Sequence, residues 1–171
     1  GDGFAGFALT AHANGEGNPN AMYRKAIKPE TYSRAPVVNE PLRQFDIAPV
    51  ADGAAAILLA RSDRLPADTR KPAIRIAGSA STVDSLALHD RQDILGFEAC
   101  RVSAQAALQQ ADIGLEQIGL FEYHDLFSVF AALALEAAGF AERGQGWKLA
   151  ADGAITLKGR IPGATMGGLK A

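Results

Sequence analysis

The chain has 171 residues, of which 48% are hydrophobic and 21% are charged, and this composition is typical of an ordinary globular domain rather than a disordered one. Its formal net charge of −2 argues against the broad basic surface that nucleic-acid binding usually needs. A single cysteine, Cys100, excludes an internal disulfide and a thiol cluster for a metal. We therefore expect an intracellular, cytoplasmic protein without a metal site.

No apolar run approaches the ~20 residues that a membrane span requires. The first residues lack the charged and apolar blocks of a signal peptide. The chain starts with Gly1, and its methionines, Met22 and Met166, both lie away from the start. We expect it to be a piece of a longer protein.

The first 60 residues contain two loops and one apolar run. "HANGEGNPN" is typical of a turn-forming loop after a short apolar segment. "MYRKAIKPETYSRAP" predicts short helical pieces, with Pro29 in the first turn of one of them. The run from Ala54 to Ala60 predicts a strand buried on both faces. His12 and His89 are interpreted as surface or loop residues.

The middle of the chain predicts one strand and one long helix. "PAIRIAGSAS" alternates apolar and polar residues, as a half-buried strand does. Apolar residues recur at helical spacing between about Ile94 and Gln110. Cys100 falls within this helix, so we interpret it as a packed core thiol.

The last third repeats the alternation of strand and helix. Leu120 to Tyr123 predicts a short strand, and Phe127 to Ala138 an apolar helix that Gly139 would end with a left-handed cap. A turn is expected at Asp152-Gly153, and the glycine-rich end carries no helix signal. The whole pattern predicts an α/β protein with a mixed sheet covered on both faces.

His124 and Asp125 lie between the predicted strand and the apolar helix. A helix N-terminus gathers unpaired N–H groups and the positive end of the helix dipole, which suits an anion or a developing oxyanion. The alternative is structural: Asp125 caps the helix, and His124 is a loop residue bonded to backbone.

Four motifs in order carry a family resemblance: "DIAPVADGAAAILLA", a helix ending in "ADI", "FEYHDLFSVFAALALEAAGF" and "IPGATMGGLKA". Over roughly residues 18–171 the chain resembles the thiolases, in particular the sterol-carrier-protein type, in which an "HD-x-F" turn occurs. The resemblance implies the α/β thiolase fold of two similar halves. Residues 1–70 would be the end of the N-terminal domain with its loop region and last strand, and residues 71–171 a truncated C-terminal domain.

The resemblance implies roles for six residues. His124 would be catalytic and would help to hold the thioester oxygen while a carbanion or enolate forms. Asp125, Phe127, Ala48, Gly167 and Gly168 would contact the substrate, with the "DIAPVADG" loop along the pantetheine arm of coenzyme A. No resident cofactor is implied, because the coenzyme A thioester is the substrate. A lone tryptophan, Trp147, is interpreted as packing, with a substrate channel as the alternative.

Two positions depart from the thiolase pattern: Leu126 stands where the sterol-carrier type often has a cysteine, and Ala164 where an asparagine is expected. The nucleophilic cysteine and the "GHP" histidine of the family lie outside the matched motifs, so these 171 residues alone should be inactive. The implied function is part of an acyl-CoA C-acyltransferase of lipid or sterol side-chain metabolism. The alternatives are a retro-aldolase on a β-hydroxyacyl-CoA and a noncatalytic thiolase-like subunit.

The implied partners follow from the same resemblance. They are an acyl-CoA substrate, a second copy in a homodimer or higher oligomer, and in one arrangement an accessory acyl-CoA-binding subunit. Neither nucleic acid nor a membrane span is expected.

Overall fold

A computed structural model describes residues 2–65 and 72–171 of the chain. In these residues the α-helices are α1 (Ala5–Gly15), α2 (Pro29–Ser33), α3 (Glu98–Ala111), α4 (Ser128–Ala137) and α5 (Gly146–Ala151). Two short strands, β1 (Val37–Asn39) and β2 (Leu42–Arg43), pair as an antiparallel hairpin. Short 3₁₀ turns at Asp2–Phe4, Gln44–Asp46, Ser62–Arg64, Leu88–Asp90 and Leu115–Gln117 link these elements.

The core lies where α1, α4 and α5 meet. Glycines allow the close approach, because a Cβ on Gly6 of α1 would lie 2.6 Å from the backbone of Ala150 in α5. A Cβ on Gly146 would likewise lie 2.3 Å from the Ala132 oxygen in α4. The side chains buried between these helices and the segment after α5 are Phe7, Ala131, Ala132, Leu135, Ala150, Ile155 and Ile161.

The helix predictions hold with one shift in boundary. Pro29 is the first residue of α2, and α4 ends before Gly139, which has a φ of +95°. The long predicted helix begins at Glu98, four residues after Ile94. Ile94 is exposed, so it is not anchored in a core that would extend the helix. The chain turns at Asp152-Gly153, and the glycine-rich end has no helix, as expected.

The loop predicted for "HANGEGNPN" begins later than expected. His12 to Gly15 form the last turn of α1, and the turn starts after Gly15. Tertiary packing overrides the weak local helix propensity of this stretch, because His12 and Asn14 are both buried against other segments.

The three strand predictions are wrong within the described residues. The stretches Ala54 to Ala60, "PAIRIAGSAS" and Leu120 to Tyr123 have no assigned strand. The predicted mixed sheet is therefore not formed there, and pairing is confined to the hairpin of β1 and β2 and one isolated bridge. A strand exists only when a neighbouring segment exchanges several backbone hydrogen bonds with it. Leu120 to Tyr123 makes one such bond, from the Phe121 N–H to the Pro162 oxygen at 2.9 Å, and the other two segments make none with another segment's backbone among the described residues.

The unpaired segments leave large apolar side chains in solvent. Leu58 is 96% exposed, Ile74 87% and Leu86 98%. Contiguous apolar exposure is uncommon on monomeric proteins and is typical of interaction surfaces. Helix α3 shares this property, since none of its residues is fully buried.

Cys100 lies on α3 and is only half-buried, so the prediction of a fully packed core thiol is wrong. Burial nevertheless raises the pKa of its thiol, which keeps it protonated at neutral pH. None of the helices in the described parts of the chain has the length and apolar character needed to cross a membrane.

Candidate functional site

The predicted coenzyme A loop, "DIAPVADG" at residues 46–53, lies beside the turn at residues 124–127, hereafter the His-Asp turn. Ile47 and Phe127 form an isolated antiparallel bridge, and the Ala48 N–H donates to the Leu126 oxygen at 2.8 Å. These segments are about eighty residues apart in the sequence, so the pairing is tertiary. It places Ala48 and Phe127, which are both predicted to contact the substrate, on neighbouring backbone segments.

The segment "IPGATMGGLKA", residues 161–171 and hereafter the glycine loop, closes over the same turn. The Leu169 N–H donates to Asp125 Oδ1 at 2.8 Å. Gly168 has a φ of +59°, and a Cβ there would lie 2.5 Å from Asp125 Oδ2. Glycine is therefore required at residue 168 both for its backbone conformation and for the approach of the carboxylate.

Asp125 is not the helix cap that the sequence suggested. The N-cap of α4 is Phe127, which makes no side-chain cap bond. The Asp125 side chain is 1% exposed and points to the glycine loop instead. Burial raises the pKa of Asp125, and the Leu169 hydrogen bond and the Lys170 charge oppose that rise.

Helix α1 supports the glycine loop from the other side. The Asn14 side chain donates to the oxygens of Gly163 and Ala164 at 3.2 and 3.1 Å. A Cβ on Gly167, whose φ is +109°, would lie 3.1 Å from the Cα of Gly15. Ala164, the departure from the thiolase pattern, is buried and also has a positive φ of +46°.

Lys170 joins the three segments. Its side chain is 2% exposed, and its Nζ donates to the Asp46 oxygen at 3.1 Å and to the Asp125 oxygen at 2.5 Å. Burial lowers the pKa of Lys170 to about 8, although the charges of Asp125 and Asp46 act in the opposite direction. One ammonium group therefore connects the coenzyme A loop, the His-Asp turn and the glycine loop.

Asp46 is itself held in place. Its Oδ2 accepts from the Tyr32 hydroxyl at 2.8 Å and from the Arg43 N–H at 2.9 Å. Both Asp46 and Tyr32 are almost fully buried. The carbonyl that receives the Lys170 ammonium thus belongs to a residue whose side chain is fixed by α2 and β2.

A pocket of about 750 Å³ opens beside this cluster. Its charged lining residues are Lys25, Lys28 and Lys170, with His12 as a further titratable group and no carboxylate among the described lining residues. Its remaining walls are formed by Tyr23, Ala26, Ile27, Thr31, Val38, Gln44, Phe45, Ile47, Ala48 and Pro49. The electrostatics favour an anionic ligand with an apolar portion.

His12 lies in this pocket and not on the surface, so the sequence interpretation was wrong. Its side chain is 5% exposed, with the rings of Tyr23 and Phe45 centred 6.0 and 5.6 Å away. Burial, and to a smaller extent the Lys170 charge, lowers the pKa of His12. His89 is an exposed loop residue, as expected.

His124 is exposed, and it is not among the described lining residues of the pocket. Its backbone nevertheless precedes Asp125, whose carbonyl binds Lys170. Phe127 packs against Phe130 at a centroid distance of 5.2 Å. Trp147 lies beside Gly3, where a Cβ on the glycine would be 3.5 Å from the indole ring, and it is not among the described lining residues of the pocket.

The sequence analysis missed Lys170, Asp46 and His12. Each is a polar residue in a segment that looks solvent-exposed by composition, and their burial depends on contacts between distant segments. The sequence feature that could have indicated Lys170 is its place within "GGLKA", because a glycine-rich loop that packs tightly buries the residues beside the glycines. In residues 2–65 and 72–171, no group of three or more His, Cys, Asp or Glu is arranged to hold a metal ion.

Comparison with known proteins gives relatives of one kind. The chain is 37% identical over 160 residues to an acetyl-CoA acetyltransferase of Methanothermobacter thermautotrophicus, covering 94% of this chain and 42% of the relative. It is 28% identical to a 17-hydroxy-3-oxo-4-pregnene-20-carboxyl-CoA lyase of Mycobacterium tuberculosis, covering 96% and 44%. The chain thus spans less than half the length of these relatives.

A solved structure of an Ltp2-ChsH2(DUF35) aldolase superposes with a TM-score of 0.85 at 25% identity, over 98% of this chain and 45% of that one. The fold is therefore thiolase-like. A family model described as thiolase C-terminal domain-like matches residues 80–171. The chain belongs to the thiolase family and carries its C-terminal-like domain.

Proposed function

We propose that this chain forms part of an enzyme that makes or breaks a carbon–carbon bond next to a coenzyme A thioester. The pairing of Ala48 with Leu126 carries the proposal, because it brings the predicted coenzyme A loop against the His-Asp turn. The relatives named acetyl-CoA acetyltransferase support acyl transfer as the reaction. The residues and the substrate assigned below are part of the same proposal.

The pocket would hold the coenzyme A arm. Lys25 and Lys28 are exposed and carry positive charge at its mouth, where they would meet phosphate groups. The apolar walls include Ile47, Ala48 and Pro49, which suit a pantetheine chain. The thioester would then reach the turn at residues 124–127.

His124 would act at that turn as an oxyanion donor. An imidazole N–H next to a thioester oxygen stabilises the enolate that forms when the neighbouring carbon–carbon bond is made or broken. Asp125 and Gly168 would keep the turn and the glycine loop at a fixed separation through the contacts described above. Gly167 would complete the loop against α1.

A retro-aldolase acting on a β-hydroxyacyl-CoA is the second candidate. Leu126 cannot transfer a proton, whereas a cysteine at that position in the sterol-carrier type can. A steroid side-chain-cleaving aldolase of Thermomonospora curvata is 26% identical over 169 residues. A retro-aldol step needs a base for the β-hydroxyl but no acyl-enzyme, so it tolerates these departures better than thiolysis does.

The exposed apolar segments also support assembly with further protein surface. We propose that a second copy of the chain, or an accessory acyl-CoA-binding subunit, covers the side chains around Leu58 and Ile74. A noncatalytic thiolase-like subunit would share this surface but would lack turnover in every assay. The aldolase whose structure superposes is named as a complex with a DUF35 component.

The test uses the intact protein that carries these 171 residues. Thiolysis of acetoacetyl-CoA and retro-aldol cleavage of a β-hydroxyacyl-CoA are measured on the parent, on Ala48→Phe and on Ala151→Phe. Ala48 lines the pocket, whereas Ala151 is an exposed residue at the end of α5 and lies outside both the described lining and the "DIAPVADG" loop. We expect Ala48→Phe to raise KM at least tenfold and Ala151→Phe to leave it unchanged.

Each result has one meaning. Thiolysis identifies an acyltransferase, and cleavage of the β-hydroxyacyl-CoA alone identifies the retro-aldolase. Absence of both activities, with acyl-CoA binding retained, identifies a noncatalytic subunit. Equal KM values for the parent and Ala48→Phe would show that the pocket is not the acyl-CoA site.

A further inference from the structure

Two buried polar side chains form the inner end of the pocket. Lys170 is 2% exposed and His12 is 5% exposed, whereas Lys25 and Lys28 at the mouth are exposed. All four line the same pocket. The pocket therefore has charge at both ends with apolar walls between them.

Lys170 has a donor left over. An ammonium group carries three N–H donors, and the two hydrogen bonds described above go to backbone carbonyls of Asp46 and Asp125. Carbonyls satisfy donors without cancelling the charge. Neither carboxylate is hydrogen-bonded to Lys170 in the described residues: Asp46 Oδ2 accepts from Tyr32 and Arg43, Asp125 Oδ1 accepts from Leu169, and both act on Lys170 through their charge. Asp46 Oδ1 is buried without a hydrogen bond in the described parts of the chain.

His12 is buried without a partner at one nitrogen. Its Nδ1 is inaccessible to solvent and has no hydrogen bond in the described parts of the chain. We assign the hydrogen of the neutral imidazole to Nε2, because an N–H at the buried Nδ1 would have no acceptor in the described parts of the chain. The rings of Tyr23 and Phe45 fix the plane of the imidazole.

We propose that Lys170 and His12 together bind an oxygen atom on the acyl part of the ligand, either a ketone or a carboxylate oxygen. This inference rests on the proposed function, since it assumes that the pocket holds an acyl-CoA. The Lys170 ammonium supplies its remaining N–H, and the His12 imidazole supplies its Nε2–H. The ligand oxygen accepts both.

The chemistry of the inner end selects this ligand class. A plain alkyl chain that displaces water from the inner end would leave the third N–H of Lys170 without an acceptor, which is costly. An oxygen at the same depth satisfies the donor, and a carboxylate also offsets the charge. The same pair would therefore discriminate oxygenated acyl groups from saturated ones of equal length.

The experiment measures binding of three thioesters to the intact protein by calorimetry. Pentanoyl-CoA, 4-oxopentanoyl-CoA and succinyl-CoA differ at the fourth acyl carbon, which is a methylene, a ketone or a carboxylate. A ketone at that carbon is not cleaved by a retro-Claisen reaction, so binding is measured without turnover. Hydrogen bonds to a charged group lead us to expect ~10- to 100-fold tighter binding of at least one oxygenated ligand than of pentanoyl-CoA.

The variants separate recognition from folding. Lys170→Met should abolish the preference, so that the three thioesters bind with affinities within about threefold of one another. Lys170→Gln serves if Lys170→Met does not fold, because its amide can still donate to both carbonyls while the charge is lost. His12→Phe fills the space between Tyr23 and Phe45 and should weaken only the oxygenated ligands.

Preference for succinyl-CoA would identify a carboxylate site, and preference for 4-oxopentanoyl-CoA a ketone site; either supports the proposal. Equal affinity of the parent for all three ligands would overturn it. So would an equal loss for all three in Lys170→Gln, which would mark Lys170 as a residue that only holds the loops. Failure of all three thioesters to bind would overturn the proposed function together with this inference, whereas pentanoyl-CoA binding without a preference overturns the inference alone.

Discussion

The carboxylate of Asp125 lies directly beneath Gly168, so close that a Cβ at residue 168 would be 2.5 Å from Asp125 Oδ2. The neighbouring Leu169 N–H donates to the other carboxylate oxygen at 2.8 Å. The glycine loop and the His-Asp turn therefore pack so closely that one added methyl group at residue 168 would clash. This contact makes the geometry of the candidate site open to test by substitution.

Gly168→Ala should destabilise the protein more than Gly144→Ala. Both glycines have positive φ values, +59° and +75°, so both variants lose ~1 to 2 kcal/mol from backbone strain. A Cβ on Gly144 meets nothing within 4 Å, whereas one on Gly168 meets Asp125. Urea unfolding of both variants measures the difference, and equal losses would show that the loop moves away from Asp125 at no cost.

His124→Ala should lower turnover without lowering stability. Loss of one oxyanion donor typically costs ~100- to 1000-fold in kcat. Since His124 is exposed, its removal leaves no cavity. Melting temperature and turnover are measured on the same preparation, and a rate within a few-fold of the parent would contradict the placement of the catalytic group at this turn.

Asp125→Asn is the matched variant, and it should lower stability while leaving the turnover of the folded protein unchanged. The buried carboxylate accepts from Leu169, and replacing it by an amide weakens a charge-assisted bond by ~1 to 3 kcal/mol. We expect a lower melting temperature and a less tightly held glycine loop. Turnover should fall only in proportion to the fraction of protein that is folded. Unchanged stability in Asp125→Asn would mean that the hydrogen bond to Leu169 contributes nothing.

The lysine at residue 170 should make stability rise with pH above neutrality. Its pKa is about 8 in the folded chain and 10.5 as the unperturbed value, so between these limits the unfolded chain binds more protons. The free energy of unfolding then increases with pH, by up to ~3 kcal/mol across the window. Urea unfolding at pH 8 and pH 10 should show this increase in the parent and a smaller one in Lys170→Met.

Buried His12 should lower the free energy of unfolding as the pH falls. Burial lowers its pKa, so just below pH 6.5 the unfolded chain again binds more protons, and the free energy of unfolding falls as the pH falls. His12→Phe should remove this part of the acid destabilisation. Urea unfolding of the parent and of His12→Phe at several pH values between 5 and 7 measures the two slopes. Identical slopes would argue against a buried neutral His12.

Sequence reasoning succeeded where local signals decide the structure. Pro29 begins α2 and Gly139 follows α4 because fixed φ and left-handed φ are intrinsic to those residue types. The order of the motifs likewise predicted the thiolase family, which the match over residues 80–171 confirms. These inferences need no knowledge of what packs against what.

The predictions failed where the structure of a segment depends on contacts with distant parts of the chain. The run from Ala54 to Ala60 has a strand pattern but no neighbour to pair with among the described residues, so it stays exposed. Asp125 has the spacing of a cap, yet its carboxylate binds a loop more than forty residues further along the chain. His12 looked like a loop residue because Tyr23 and Phe45, which enclose it, reach it only through the tertiary fold.

The two ends of the chain meet at the candidate site, where Asn14 binds Gly163 and Ala164 across 149 and 150 residues. Closing a loop of that length is entropically unfavourable, so contacts of this kind form after local helices have already appeared. The contact that holds the glycine loop therefore needs Asn14 and residues 163–164 to be present and folded together. During synthesis, a ribosome would have to release residue 170 before the pocket could acquire its inner charge.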